Sequence, residues 1–339
     1  MAPTSPAAPA APGGLVFLAW GAVAGRSAEI AAALGGEAVS LYPPGAGRRP
    51  HAAVRYLSCT LATIRHLRRR RPGFVVVTNP PVLAGLVVYA CSRRYGFGVA
   101  LDSHPGAFGA QGDELSRRLL PLHRALARRV AFSMVAADPW AARVASWGGR
   151  ALVVHEAPGL DLSAPPPRGG RLRVLCVGRL AADEPVAEVL AAAGRVPGCE
   201  VLVTGDEARL APGLRGSAPS NVTFVGFLEA AAYAAAVRAC HAVLSLTTEP
   251  ASVMRAAYEA VYAGRPLIVS DWPIGRATFP RAVHVANDAA SIAAGLAGLV
   301  ERYEELVGVA VEARGVQLAR WEGQEGRLRE AIAASGGEA

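Results

Sequence analysis

TTEPASVMRAAYEAVYAGRPLIVSD, Thr247 to Asp271, sets a strand end, an acidic turn with Pro250, an amphipathic helix, Gly-Arg-Pro and a second apolar strand in immediate succession. That order has a physical reading. A helix that starts just past a strand end points its unpaired N–H groups beyond the sheet, and such an end favours anions, phosphate above all. The run from Leu244 to Thr248 ends the strand, Pro250 fixes the turn, and the helix begins near Val253 to Arg255. Glu259 lies about one turn further in, as a carboxylate able to accept hydrogen bonds from a ribose diol. The geometry suits a nucleotide diphosphate.

Outward from this stretch the same unit recurs. LVFLAW, EAVSLY, FVVVTN, GVALD, FSMVAA and ALVVHE read as strands before residue 158, and RVLCVG, EVLVTG, NVTFVGF, AVLSLTT, PLIVSD and AVHVAN after 170. Each is followed by a helix-like segment, the pattern of parallel sheets covered on both faces. Between the halves, GLDLSAPPPRGG (159–170) holds three prolines and three glycines, which exclude helix and central strand and mark a linker. The expected organisation is α/β: a disordered tail over 1–14, doubly wound Rossmann-like domains over 15–158 and 171–308, the linker 159–170, and a terminal helix over 309–339 that packs back on the first domain. Two such domains are expected to face each other across a cleft at the carboxyl ends of their strands, where these sheets bind ligands.

Composition narrows the class. Of 339 residues 52% are hydrophobic and 18% charged, enough apolar surface for a large core and too little charge for disorder. No apolar run is long enough for a clear membrane span. MAPTSPAAPAAPGG at the start has no positive n-region and no unbroken apolar stretch, so a secretory signal is not expected and a cytoplasmic setting is. Five cysteines with no C-x-x-C pair fit buried thiols better than disulfides or a zinc site. The net charge is +8 and every one of the 35 Lys and Arg residues is arginine, which reads as a compositional bias of the chain before it reads as a selected phosphate site. The arginines are scattered with no interleaved aromatic platform, which argues against a nucleic-acid partner.

YEAVYAGRPLIVSD, with VLCVGRL, VLVTGD and NVTFVGF upstream, resembles the carboxyl-terminal half of retaining glycosyltransferases of family 4, proteins of the GT-B fold, over roughly Arg173 to Gly295. The family pattern is an E-x7-E pair followed by A-x-x-x-G-x-P. The resemblance implies a donor-binding second domain and an acceptor-binding first domain. It places Gly178 and Arg179 at the donor diphosphate, Gly226 and Phe227 beside the nucleotide base, and Glu259 at the ribose. Two positions depart from the pattern. The first glutamate falls on Ala251, leaving Glu249 as the nearest acid, and the usual lysine after G-R-L is replaced within Asp183-Glu184-Pro185. Arg255 at the helix start is the candidate for the missing cation.

Family chemistry of this kind is described as front-face substitution, in which the protein holds the leaving diphosphate and steadies an oxocarbenium-like sugar instead of supplying a nucleophile. No D-x-D occurs in the chain, and no metal cofactor is expected. In the first half, Asp102, Ser103 and His104 follow a strand, and His104 is the candidate for contacting the transferred sugar, or else a capping residue. Trp20-Gly21 with Arg26 and Ser27, and Thr78-Asn79-Pro80-Pro81, are candidates for the acceptor wall. VRYLSCTLATIRHLRRRRP, Val54 to Pro72, is an apolar helix pattern ending in arginines. It suits either the surface of an anionic membrane carrying a lipid-linked sugar acceptor, or a core helix with cations at its carboxyl end. The expected activity is transfer of a sugar from a nucleotide-sugar donor to a polysaccharide or glycolipid precursor. The competing readings are a degenerate protein that binds nucleotide or a partner without turnover, and a sugar-nucleotide epimerase.

Overall fold

The computed structural model describes residues 13–21, 25–42, 52–109 and 114–336. Apart from residues 13 and 14, the tail expected over 1–14 lies outside the described residues. The chain divides into two compact units, Met1–Ala157 with Trp321–Ala339, and Pro158–Arg320.

In the first unit six strands, β1 (Leu15–Ala19), β2 (Glu37–Ser40), β3 (Phe74–Asn79), β4 (Gly98–Ser103), β5 (Phe132–Val135) and β6 (Ala151–Val153), form a sheet in the order β2-β1-β3-β4-β5-β6. In the second unit β7 (Leu172–Cys176), β8 (Cys199–Thr204), β9 (Val222–Gly226), β10 (Ala242–Ser245), β11 (Leu267–Ser270) and β12 (Val283–Val285) follow the order β12-β11-β10-β7-β8-β9. Every pairing is parallel. The central strands β5, β10 and β11 are buried at every residue, because helices cover both faces, and this explains their unbroken apolar runs. All twelve expected strands form. The strand order reverses between β1 and β3 in one unit and between β7 and β10 in the other, and sheets of this kind hold ligands beyond the carboxyl ends at such points.

The carboxyl-terminal helices differ from expectation. One helix runs unbroken over Tyr303–Gly336, after a short interruption at Arg302, instead of starting near Val309. No proline interrupts it, and its glycines leave the i to i−4 ladder intact. Its first part belongs to the second unit, where Tyr303 and Leu306 join the core and Ala313 and Leu318 pack beside Tyr258 and Tyr262. From Trp321 onward it completes the first unit: Trp321, Leu328 and Ala331 pack with Phe17, Ile30, Phe74 and Phe132. There the Gln324 side chain accepts the backbone N–H of His155 at 2.8 Å.

The segment 159–170 has neither helix nor strand, yet it is fastened to the second unit. Tyr303 donates its hydroxyl hydrogen to the carbonyl of Pro166 at 2.8 Å, and the Arg265 guanidinium bonds Ser163 through both its carbonyl at 2.9 Å and its Oγ at 2.6 Å.

Candidate functional site

The loop after β7 turns through Leu180, whose φ of 58° is left-handed, and this orients successive N–H groups toward one point. A carboxylate fills that point. Glu184 accepts from Arg179 N at 2.9 and 3.0 Å and from Leu180 N at 2.9 Å. A Cβ on Gly178 would stand 2.3 Å from a Glu184 oxygen, so any larger residue there would displace the carboxylate from the loop. The loop is braced from two sides: Gly178 N donates to Thr204 Oγ1 at 3.1 Å, and Thr248 N donates to the carbonyl of Asp183 at 2.7 Å. The Arg179 side chain is exposed.

The turn after β10 is fixed by residues that sequence reasoning passed over. Thr247 N donates to Ser270 Oγ (2.9 Å), Ser270 Oγ donates to Asn287 Oδ1 (2.7 Å), and Trp272 Nε1 and Asn287 Nδ2 both donate to the Thr247 carbonyl (2.8 and 2.9 Å). Glu249 sits half-buried in this turn, its N–H bonded to Thr247 Oγ1 at 3.1 Å. The helix that follows spans Arg255–Tyr262 and opens without a side-chain cap.

Glu259 has two partners on this unit. Its carboxylate accepts from Tyr233 Oη at 2.6 Å and from Arg255 Nε at 2.7 Å. Burial, then the Glu259 charge, pushes the Tyr233 phenol far above its ordinary range, so Tyr233 is a permanent donor. A carboxylate has about four acceptor positions, so two remain for a diol. Arg255, expected to serve the diphosphate, spends its Nε on Glu259. Gly226, with a left-handed φ of 73°, lies beside this loop system through its carbonyl, which accepts Gly205 N at 3.0 Å. Phe227 is 74% exposed, an open aromatic face. Gly178, Arg179, Gly226, Arg255, Glu259 and Glu249 thus all lie on segments at the carboxyl ends of β7, β9 and β10 or on the helix that follows β10.

His104 belongs to the first unit. Its Nε2 is 3.5 Å from Asp102 Oδ2, and on the other side Arg26 Nε is 3.5 Å from Asp102 Oδ1 while Arg26 Nη1 reaches Glu156 at 3.0 Å. Burial alone raises the Asp102 pKa, but the His104 and Arg26 charges outweigh it and hold the carboxyl well below the ordinary carboxylate range. The folded value therefore lies under the unfolded value of about 3.9, and this contribution to stability is complete above that pH and is lost as the pH falls below it. Asp102→Asn is expected to lower the stability of the first unit at pH 7 by about 3 kcal/mol, the lower end for a broken buried pair because Arg26 keeps Glu156. Urea unfolding at pH 7 and pH 3.5 checks this: the gap between variant and wild type narrows at the lower pH.

Where the strand order of this unit reverses lies a cavity of about 550 Å³, lined by Trp20, Tyr42, Arg55, Asn79, Pro80 and His123 among others. His123 was not foreseen, because nothing in PLHRALA distinguishes it from an ordinary helix residue. Burial lowers its pKa to about 4, so it is neutral at pH 7. Its Nδ1 donates to the Ala107 carbonyl at 3.0 Å, leaving Nε2 to accept from Ser103 Oγ at 3.2 Å. The cavity takes in the foreseen wall residues Trp20, Gly21, Asn79, Pro80 and Pro81, while Arg26 and Ser27 turn instead to Asp102.

The loop after β7 and the turn after β10 lie in a region with known relatives. Residues 171–302 match the family of glycosyl transferases group 1. This group 1 region takes in the resemblance read from Arg173 to Gly295. No curated protein matches the chain. Among solved structures, sucrose-phosphate synthase from Thermosynechococcus elongatus is 16% identical with a TM-score of 0.73, the match covering 95% of this chain and 100% of that one. HepE from Anabaena in complex with UDP and glucose is 14% identical with a TM-score of 0.71, covering 95% and 100%. A UDP-GlcNAc 2-epimerase from Neisseria meningitidis bound to UDP-GlcNAc is 12% identical with a TM-score of 0.63, covering 94% and 99%. At these identities the likeness establishes the fold, and the fold is GT-B.

Proposed function

We propose that this protein is a glycosyltransferase that moves a sugar, with retention and without a metal, from a nucleotide-diphosphate donor held by residues 158–320 to an acceptor held by the first unit. The acceptor class is a polysaccharide or glycolipid precursor, and the setting is cytoplasmic. One observation carries the reading: the N–H groups of Arg179 and Leu180 already coordinate an anion, the Glu184 carboxylate, at the strand-order reversal of a group 1 region. A loop with that geometry serves a phosphate equally well.

In the reaction the bond between the sugar's anomeric carbon and the diphosphate oxygen breaks, and a bond to the acceptor oxygen forms on the same face. The acceptor proton passes to the departing phosphate. The protein's work is electrostatic: Arg179 and the amino end of the helix from Arg255 receive the developing charge, joined by the loop N–H groups once the diphosphate displaces Glu184 from them. Glu259 holds the ribose, and Phe227 offers its face to the base. His104, oriented by Asp102, and Glu249 are the candidates for steadying the sugar.

A second reading, binding without turnover, draws on Ala251 in place of the first glutamate and on Glu184 in the anion position. Calorimetric titration with UDP, GDP, ADP and dTDP, followed by a hydrolysis assay with sugars of whichever nucleotide binds, separates the two. Turnover supports transfer; tight binding with no hydrolysis and no transfer supports the second reading; no binding at all removes both. Glu184→Ala is expected to tighten nucleotide diphosphate binding about fivefold, roughly 1 kcal/mol, by emptying the loop of a competing charge. An unchanged Kd would mean that the diphosphate docks away from this loop.

A further inference from the structure

The helix Ala52–Arg70 faces the wrong way for a simple core helix. Cys59, Thr63 and Leu67 are the residues it buries, at 1%, 0% and 0% exposure, and Trp20 Nε1 donates to Thr63 Oγ1 at 2.8 Å on that side. Its larger apolar residues point outward: Val54, Leu57, Leu61 and Ile64 are 57%, 60%, 59% and 37% exposed. Their spacing of three, four and three residues keeps them on one stripe, about 15 Å long at 1.5 Å per residue. Exposed large apolar residues are ordinary when scattered; four aligned on one helix face mark an interaction surface.

Charge identifies the occupant. The helix contains no acidic residue, and the outward stripe runs at its carboxyl end into Arg65, Arg68 and Arg69, all exposed. Among the described residues, Arg70 is the one of the terminal arginines with a carboxylate partner, Glu37 at 2.6 Å. A protein groove would be expected to answer three arginines with carboxylates at fixed points. A bilayer with anionic headgroups answers both features together, because leucines enter the acyl boundary while arginines remain among the phosphates. Among the described residues no helix is long and apolar enough to cross a membrane, so the contact is peripheral.

We infer that the outer face of the helix Ala52–Arg70 docks the protein on an anionic lipid bilayer. The same helix carries Arg55, Tyr56 and Cys59, which line the 550 Å³ cavity, so docking brings that cavity to headgroup level.

The test is co-sedimentation of the whole protein with vesicles of phosphatidylglycerol and phosphatidylcholine in equal parts, and with phosphatidylcholine alone. Three proteins are compared: wild type, Leu57→Ser/Leu61→Ser and Arg65→Gln/Arg68→Gln/Arg69→Gln. Because the changed side chains are exposed, circular dichroism melting should show no loss of fold. Wild type partitions to the mixed vesicles at least tenfold better than to neutral ones. Each variant loses at least tenfold on the mixed vesicles, and binding falls as NaCl rises from 0.1 to 0.5 M. Equal sedimentation of wild type and the leucine variant overturns the inference, as does failure of wild type to bind. Light scattering that finds a wild-type dimer, abolished in the leucine variant and accompanied by no vesicle binding, assigns the face to a second copy of the chain instead.

Discussion

Arg265→Ala is expected to melt residues 158–320 roughly 10 °C below wild type, since about 4 kcal/mol is lost and a unit of this size moves about 2–4 °C per kcal/mol. The guanidinium is completely buried and faces no carboxylate among the described residues. It is held by oxygen dipoles alone: Nε donates to the Val237 carbonyl at 3.0 Å, Nη2 to Arg238 at 2.7 Å, and Nη1 to Ala263 at 3.1 Å and Ser163 at 2.9 Å. Val237 and Arg238 lie in the last turn of the helix Ala230–Ala239, where carbonyls have no partner inside the helix, so a cation is worth most there. Alanine strands those oxygens and opens a cavity as well. Arg265→Lys is expected to recover little, because a compact ammonium cannot span carbonyls from three segments. Differential scanning calorimetry reads the result, and a shift under about 3 °C would mean that water takes the place of the guanidinium.

Glu259→Ala is expected to weaken nucleotide binding about 30-fold or more, the equivalent of roughly 2 kcal/mol for one charge-assisted contact to the ribose. The Glu259 side chain is only 12% exposed, so alanine also leaves Tyr233 Oη without its acceptor, and the variant is expected to melt a few degrees below wild type while staying folded at the temperature of the titration. Tyr233→Phe separates binding from positioning. It removes the 2.6 Å hydrogen bond to Glu259 and keeps the carboxylate, and it should cost several-fold where alanine costs 30-fold or more. Titration calorimetry with the nucleotide that binds wild type decides: equal affinity in Glu259→Ala would remove the ribose role.

The fold could be read from the sequence because buried parallel strands are written as unbroken β-branched runs; VVV in β3 and LIV in β11 have few other uses. The segments that carry the candidate donor residues could be read because each follows a strand end, as Gly178 follows β7. What could not be read was the direction of side chains that satisfy one another over distance. Glu184 looked like the loss of a lysine, and only the left-handed turn at Leu180 brings its carboxylate back onto the loop. Arg265 occupied the unconstrained position of G-x-P, yet it is the cation that closes a neighbouring helix. The helix from Ala52 carries two stripes, one of Cys59, Thr63 and Leu67 and one of Leu57, Leu61 and Ile64. Periodicity reports both and does not say which is buried; the structure buries the stripe that can bond Trp20.

The helix Tyr303–Gly336 has a consequence for the order in which the protein is made. Trp321, Leu328 and Ala331 are part of the core that holds Phe17, Phe74 and Phe132, so strands made early wait for a helix made after the whole second unit. Domains commonly complete themselves in the order of synthesis. Here that order inverts: residues 158–320 can close on their own chain while the earlier sheet still exposes three phenylalanines, and the unit begun first is the one completed later.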